Sequence, residues 1–433
     1  MTTQSSLKKV LTNSGILLTG NMGANLFGLL SIAIFTRSQG AEIFGYYVIF
    51  FTFIEIIDKI FNFQTWQAFI KFATDFQVKN EHQNIMMLLK YSFLIDLFSL
   101  LAATISALFL SSYAIEFFSI PDKFQNLLLL MSLTILFKIT EISVGVFRLY
   151  DRFKVQAKIA VCSSAIKFAM FSIIALVESS FAMFVYASVL AQLITMIMKY
   201  VYAKSILNEH NIKIIDILKK ELDMPRIKEL KIFSFIIYNN FDVAVRMISR
   251  QLDMVILGKL YGAEIVGIYK IAKEVANLIA KLTDPVYQAI YPEFAKTFSN
   301  GRKREAKQMA IKISLYAGGA GLAFYGLFVL LGEWAIGVAF GKEFLDAYEI
   351  TLVYLIAILI AIINLPLVPI LHSNGLAKQA FWNQLWATVS YCVVIYPLAF
   401  YFSAIGAALA YIMFYIVWML FALMTVKTKK VFT

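Results

Sequence analysis

Residues 40–47 read GAEIFGYY, and residues 262–269 read GAEIVGIY. Six of the eight positions are identical, at an offset of 222 in a chain of 433 residues. The same offset aligns Lys59 with Lys281. After a one-residue shift, QAFI-KFATDF from Gln67 aligns with QAIYPEFAKTF from Gln288. Self-similarity at half the chain length is the signature of an internal repeat. Shared helix-start chemistry is a second reading, since Gly and Glu favour turns and first turns. The motif recurs at the same place, entering the second apolar run of each half, which favours the repeat.

The apolar runs set the fold class. The chain is 60% hydrophobic and 15% charged, with a mean hydropathy of +0.75. A soluble domain carries about 25% charged residues, and no globular interior holds this much apolar surface. Stretches long enough to span a bilayer, roughly 20 residues each, fall near 13–36, 43–70, 86–112, 124–148, 155–178 and 180–203. Six more fall near 231–258, 263–290, 309–332, 346–371, 378–402 and 404–426. The repeat offset covers six spans. Six is even, so both copies share one membrane orientation, as in transporters built from parallel repeats. The reading is an all-α integral membrane protein of twelve transmembrane helices in two six-helix lobes, 1–206 and 229–433. A basic linker, 207–228, contains Lys213, Lys219, Lys220, Arg226 and Lys228. It reads as a solvated, positively charged loop, with an amphipathic helix on the inner leaflet as the alternative.

The net charge of +12 follows from topology. The termini and even-numbered connections, together with the five residues at the adjoining span ends, hold 27 Lys and Arg, and the odd-numbered ones hold only Arg37, Lys123, Lys259 and Lys342. By the positive-inside rule both termini are cytoplasmic. No cleavable signal is evident: Lys8 and Lys9 precede a long apolar run without an A-x-A site, so the first helix is expected to be retained.

Beyond the first and last five residues of each span, sixteen charges fall within the spans, eight basic and eight acidic. Such groups are costly in a membrane and usually functional. At about 100° per residue, Asp242, Arg246, Arg250 and Asp253 share one face of span 7. Lys270, Lys273, Glu274, Lys281 and Asp284 share one face of span 8, and Glu55, Asp58, Lys59, Asn62 and Trp66 one arc of span 2. Polar stripes cannot face lipid tails, so they are expected to line an interior space. Local pairing is the competing account. Glu55–Lys59, Lys138–Glu141, Asp242–Arg246, Arg250–Asp253, Lys270–Glu274 and Lys281–Asp284 all stand at i,i+3 or i,i+4. It leaves Asp58, Asp96, Lys167 and Lys273 without a near partner.

The candidate anion-binding residues are Lys59, Lys167, Arg246, Arg250, Lys270, Lys273 and Lys281, because guanidinium and ammonium groups suit phosphate. The candidate sites for a coupling cation are Asp242, Asp253, Glu274 and Asp284. Trp66, Tyr238 and Tyr269 are candidates for stacking on sugar rings. Candidate hinges are Asn364–Pro369, with two prolines, and Asp284-Pro285; Gly318, Gly319 and Gly321 permit close helix approach. Cys162 and Cys392 lie in apolar runs and are expected as buried thiols without a disulfide. No His/Cys cluster has metal-ligand spacing, no phosphate-binding GxxxxGK[ST] loop occurs, and nothing points to nucleic acid.

These residues, with DMVILGKLYGAEIVGIYKIA at 253–272, resemble the O-antigen and polysaccharide (Wzx-type) flippases of the multidrug/oligosaccharidyl-lipid/polysaccharide (MOP) exporter superfamily. The resemblance covers essentially the whole chain and rests on Gly, Tyr and charge placement. It implies a transporter, with no enzymatic activity and no bound cofactor, in the bacterial inner membrane. Its substrate would be a polyprenyl-pyrophosphate-linked oligosaccharide, turned over to the periplasmic leaflet by alternating access and driven by a proton or sodium gradient. Polysaccharide polymerase and chain-length proteins would be its partners. Two alternatives stay open: a cation-coupled multidrug exporter of the same superfamily, and a membrane-embedded polysaccharide polymerase or ligase. The first would favour an acidic cavity. The second would need a positioned acid or base on a sizeable outer loop, and the outer connections are short and lack histidine.

Overall fold

The computed structural model describes residues 3–177, 180–282 and 284–432; within these, the side chains of 3–11, 238, 239, 242, 282 and 284–289 are not described. The described residues contain helices and no strand. The α-helices are α1 (Thr3–Phe61), α2 (Trp66–Val78), α3 (His82–Phe117), α4 (Gln125–Ser132), α5 (Ile142–Leu149), α6 (Phe153–Leu176), α7 (Phe181–Glu209), α8 (Ile214–Lys219), α9 (Met224–Glu229), α10 (Ile232–Leu282), α11 (Asp284–Ser299), α12 (Lys303–Phe340), α13 (Ala347–Ile363), α14 (Leu367–Ser373) and α15 (Ala377–Thr428). Among the described residues, eight helical runs are long and apolar enough to cross a membrane: α1, α3, 122–149, α6, α7, α12, 347–373 and α15. The protein is therefore a multi-pass membrane protein. The charge-rich α10 does not meet that measure.

Three of the longest helices turn sharply within their length. α1 turns at Gly40 (φ 77°, ψ 179°), α10 at Gly262 (φ 82°, ψ −171°) and α15 at Ser403 (φ 51°, ψ −135°). Gly40 and Gly262 occupy the same position in the two copies of the repeated motif. Both adopt a conformation open essentially only to glycine. The sequence repeat is thus also a repeat of backbone geometry.

The chain divides into two compact units, one of residues 1–39 and 50–247, the other of 40–49 and 248–433. In the first unit, Phe35, Phe50, Phe124, Phe171, Phe181 and Phe184 form an aromatic cluster from five segments. The run from Asp122 to Leu149 is not a uniform α-helix. A nine-residue 3₁₀ segment, Leu133–Glu141, separates α4 from α5, well beyond the usual three or four residues. The span expected at 43–70 ends at Phe61. Asn62 stops it: its Nδ2 donates to Asp58 Oδ1 (3.1 Å) and its Oδ1 accepts from the Gln64 amide (3.0 Å). Such local bonding competes with the helix, and Gln64 then takes a positive φ of 46°.

The linker is not the solvated loop expected from its charge. It folds into α8 and α9, and Ile212, Ile217 and Ile227 are buried in a core with Phe69, Leu88 and Phe147. The spaced isoleucines give it an apolar face, which outweighs the pull of its charges toward water. Asp223 caps α9 by accepting from the Arg226 amide (3.0 Å). Lys90 Nζ donates to the carbonyls of Leu218 and Lys220 (2.8 Å each), and Arg226 pairs with Glu81 (3.1 Å).

In the second unit the two motif copies pack on each other through their glycines. A Cβ on Gly45 would lie 1.7 Å from the Ala263 carbonyl oxygen, and one on Gly267 would lie 2.5 Å from that of Ala41. The pairs 45/267 and 41/263 are both 222 apart, so the contact is reciprocal, as across a two-fold axis. Glu343 Oε2 accepts from the Ala41 amide (3.0 Å). Gly318 and Gly321 let α12 approach Ile363, Leu359 and Ile362 of α13. The helix breaks, as expected, at Asn364–Pro366, and Ser314 Oγ donates to the Ile363 carbonyl (2.7 Å). At the Ser403 turn the Ala399 and Phe400 carbonyls lose their helical donors, and the Tyr261 hydroxyl lies 3.0 and 2.8 Å from them. Cys162 and Cys392 are free and half-buried.

Candidate functional site

Each unit contains one cluster of buried ionisable groups. In the first unit it is built on Asp58, which is fully buried at the end of α1. Its Oδ2 lies 2.6 Å from Lys138 Nζ and 3.4 Å from Lys59 Nζ. Asn62 donates to the other oxygen. Two ammonium groups thus converge on one carboxylate. Lys138 comes from the 3₁₀ segment, where residues three apart eclipse, so Glu141 projects on the same side. Glu141 is close enough to Lys199 of α7 and to Asp96 of α3 for their charges to act on one another. Asp96, also buried, accepts from the Thr65 hydroxyl at 2.8 Å through Oδ2, while its Oδ1 has no partner among the described residues. A buried carboxylate oxygen without a donor is unusual. Three bases and three acids meet here, on four elements.

In the second unit the cluster is built on Asp253 of α10, also fully buried. Its Oδ2 accepts from Lys273 Nζ (2.6 Å) and from the Tyr269 hydroxyl (3.0 Å), and its Oδ1 accepts from the Met254 amide (2.8 Å). Lys273 also donates to the Arg250 carbonyl (2.6 Å). Both strands of this pairing lie in α10, one on each side of the Gly262 turn, so the motif's turn makes the ion pair possible. Tyr354 packs edge-on against Tyr269 and stacks on Tyr411 at 5.0 Å, with Tyr391 and Tyr415 beside it.

The expected local pairs are partly replaced. Lys270 and Glu274 pair as expected, at 2.8 Å. Lys138 pairs with Asp58 instead of Glu141, and Asp253 pairs with Lys273 instead of Arg250. In both cases the tertiary partner lies at 2.6 Å from a fully buried carboxylate. Lys167 lies over the rings of Phe51 and Phe171, at 5.5 and 5.1 Å. Arg246, Arg250 and Lys281 are exposed. The side chains of Asp242, Asp284 and Tyr238 lie outside the described residues. The stacking expectation is corrected for two aromatic residues. Tyr269 is fully buried and bonded to Asp253, and the ring of Trp66 is covered by the Arg148 guanidinium at 4.6 Å. Local periodicity does not find Lys199; the signal for it is a lone lysine in the apolar run ITMIMKYVY.

Inner membrane protein YghQ of Escherichia coli (strain K12) is 23% identical over 345 residues, covering 80% of this chain and 96% of that protein. The teichuronic acid biosynthesis protein TuaB of Bacillus subtilis (strain 168) is 27% identical over 158 residues, covering 34% and 31%. Among solved structures, the inward closed conformation of the lipid II flippase MurJ matches with a TM-score of 0.73 at 16% identity, covering 96% of this chain and 89% of that one. An inward-facing multidrug resistance MATE family transporter of the MOP superfamily matches with a TM-score of 0.75 at 12% identity, covering 94% and 95%. The chain shares the fold of these two structures. The family model described as polysaccharide biosynthesis protein matches residues 10–298, two thirds of the chain, and the protein belongs to that family.

Proposed function

We propose that the protein is a flippase that moves a polyprenyl-pyrophosphate-linked oligosaccharide from the cytoplasmic to the periplasmic leaflet of the bacterial inner membrane. The observation that carries this reading is the convergence of Lys59 and Lys138 on the buried carboxylate of Asp58. A carboxylate shared by two ammoniums holds them ready for an anion of higher charge. An incoming pyrophosphate competes with Asp58 for the ammoniums, because its higher charge pairs with two of them better than one carboxylate does. The family and the fold support the same reading. Twelve spans with both termini in the cytoplasm fit the distribution of lysine and arginine.

Translocation needs no bond to form or break, so the charged groups bind and release, and the driving force comes from an ion gradient. The buried Asp253–Lys273 pair is the proposed point of coupling, because it joins the two legs of α10 and is sensitive to any motion about the Gly262 turn. Partner proteins would be the polymerase and chain-length proteins that consume the exported lipid-linked sugar. Gene deletion followed by lipid analysis tests the reading. The expected result is loss of surface glycan, with the lipid-linked oligosaccharide accumulating on the cytoplasmic face. Export of full-length sugar lipid with failed elongation would overturn it. In complemented cells, Lys138→Ala should reduce glycan display at least tenfold at equal protein level.

A further inference from the structure

A cavity of about 410 Å³ lies in the first unit, walled by α3, the 3₁₀ segment with the start of α5, and α7, and roofed by α8 of the linker. Its walls are almost wholly apolar: Leu89, Phe93, Ile139, Ile142, Met196 and Ile217 are typical. Its lining residues Ile139 and Thr140 lie between Lys138 and Glu141 in the chain, and Asp96 follows Phe93 by one helical turn, so the cavity adjoins the elements that carry the charged groups.

The wall chemistry excludes a water-soluble ligand, because a pocket with so few polar atoms does not hold water. Ile197 and Tyr200 on the rim are 49% and 47% exposed, so the cavity opens outward from the unit. Two lysines mark the linker end. Lys90 is already used, since its bonds to the Leu218 and Lys220 carbonyls hold the C-terminal end of α8 over the cavity. Lys204 lines the cavity, is exposed, and has no hydrogen-bond or ion-pair partner among the described residues.

We propose that this cavity binds an anionic phospholipid of the leaflet on the linker side, with one acyl chain in the cavity and the headgroup phosphate on Lys204. Charge complementarity selects the headgroup, because basic residues at a membrane surface attract anionic lipid. Size selects the tail: one acyl chain fits this volume, whereas a polyprenyl chain far exceeds it. The bound chain would press on Ile139 and Thr140 of the 3₁₀ segment that carries Lys138, so lipid occupancy supports the geometry of the charged cluster. This inference does not depend on the transported substrate.

The test is lipid retention by the full-length protein purified in mild detergent and read by native mass spectrometry. Diazirine-labelled phosphatidylglycerol in nanodiscs maps the site. Retention of one phosphatidylglycerol is expected, with crosslinks at Phe93 and Met196. Lys204→Glu should lower retention of phosphatidylglycerol at least fivefold, and Ala203→Phe, which fills the cavity, should remove the crosslinks. Lys204→Glu changes an exposed residue, so it keeps the test decisive if Ala203→Phe does not fold. Equal retention of phosphatidylcholine, unchanged retention in Lys204→Glu, or crosslinks confined to other surfaces would each overturn the proposal. Retention of polyprenyl phosphate in place of phospholipid would also overturn it.

Discussion

Asp58, Asp96, Lys167 and Lys273 have no opposite charge three or four residues away, and each takes a partner from a distant part of the chain. Asp58 takes Lys138, Asp96 takes Thr65, Lys273 takes Asp253, and Lys167 takes two phenylalanine rings. That an unpaired charge in an apolar run marks an interior site was legible from the sequence. Which partner it takes was not, because helical spacing reports neighbours on one helix only. The same limit misassigned Lys138 to Glu141 and Tyr269 to a sugar-stacking surface. The pair energetics make a prediction. Removing one partner of a buried ion pair costs about 3–5 kcal/mol, whereas replacing both by apolar or neutral groups is far milder. Lys138→Met should therefore lower the thermal unfolding temperature in detergent, toward the small end of that range because Lys59 remains at 3.4 Å. Adding Asp58→Asn should restore most of the loss. A double variant as unstable as the single one would show that Asp58 and Lys138 do not act as a pair.

Among the elements, the paired turns at Gly40 and Gly262 were visible as repeated sequence, but their backbone conformation was not. GAEI suits an ordinary helix start as well as a turn between two helices. The break at Asn364–Pro366 was legible because proline removes a donor. The 3₁₀ segment was not: Lys138 and Glu141 are three apart and share a face at a period of 3.0 as readily as at 3.6. The Gly262 turn gives the next prediction. Nothing lies within 4 Å of a Cβ built there, so Gly262→Ala introduces backbone strain without a clash. It should destabilise the protein by about 1–3 kcal/mol. Gly319 also has open space around an added Cβ but sits in the regular helix α12. There Gly→Ala should be stabilising by about 0.5–1 kcal/mol. Opposite signs for the two variants in thermal unfolding would assign the Gly262 effect to φ, and equal effects would refute that assignment. At Gly45, where the Ala263 carbonyl blocks a Cβ, even alanine should prevent the close approach and abolish the folded protein.

Across the whole molecule, the repeat was legible because both copies keep six residues of eight, but its contact was not. Nothing local to residues 40–49 says that they pack with residues 222 positions later. The linker was misread for the same reason: its five basic residues are plain in the sequence, while the core that receives Ile212, Ile217 and Ile227 is assembled from distant elements. Orientation rests on charge alone, and it can be tested alone. The segments assigned to the cytoplasm hold 27 Lys and Arg against 4 in the outer connections, an asymmetry that sets topology during insertion. In a background without Cys162 and Cys392, single cysteines at Lys219, in the linker, and at Asp346, between α12 and α13, are both exposed. An impermeant thiol reagent added to intact cells should label Asp346→Cys, and it should label Lys219→Cys only after the membrane is opened. The reverse pattern would invert the protein and place the Lys204 lipid site in the opposite leaflet. Labelling of both from one side would mean that an even number of crossings, and not the expected three, separates the two residues. That result would remove the even-span argument on which the two-lobe reading of the repeat depends.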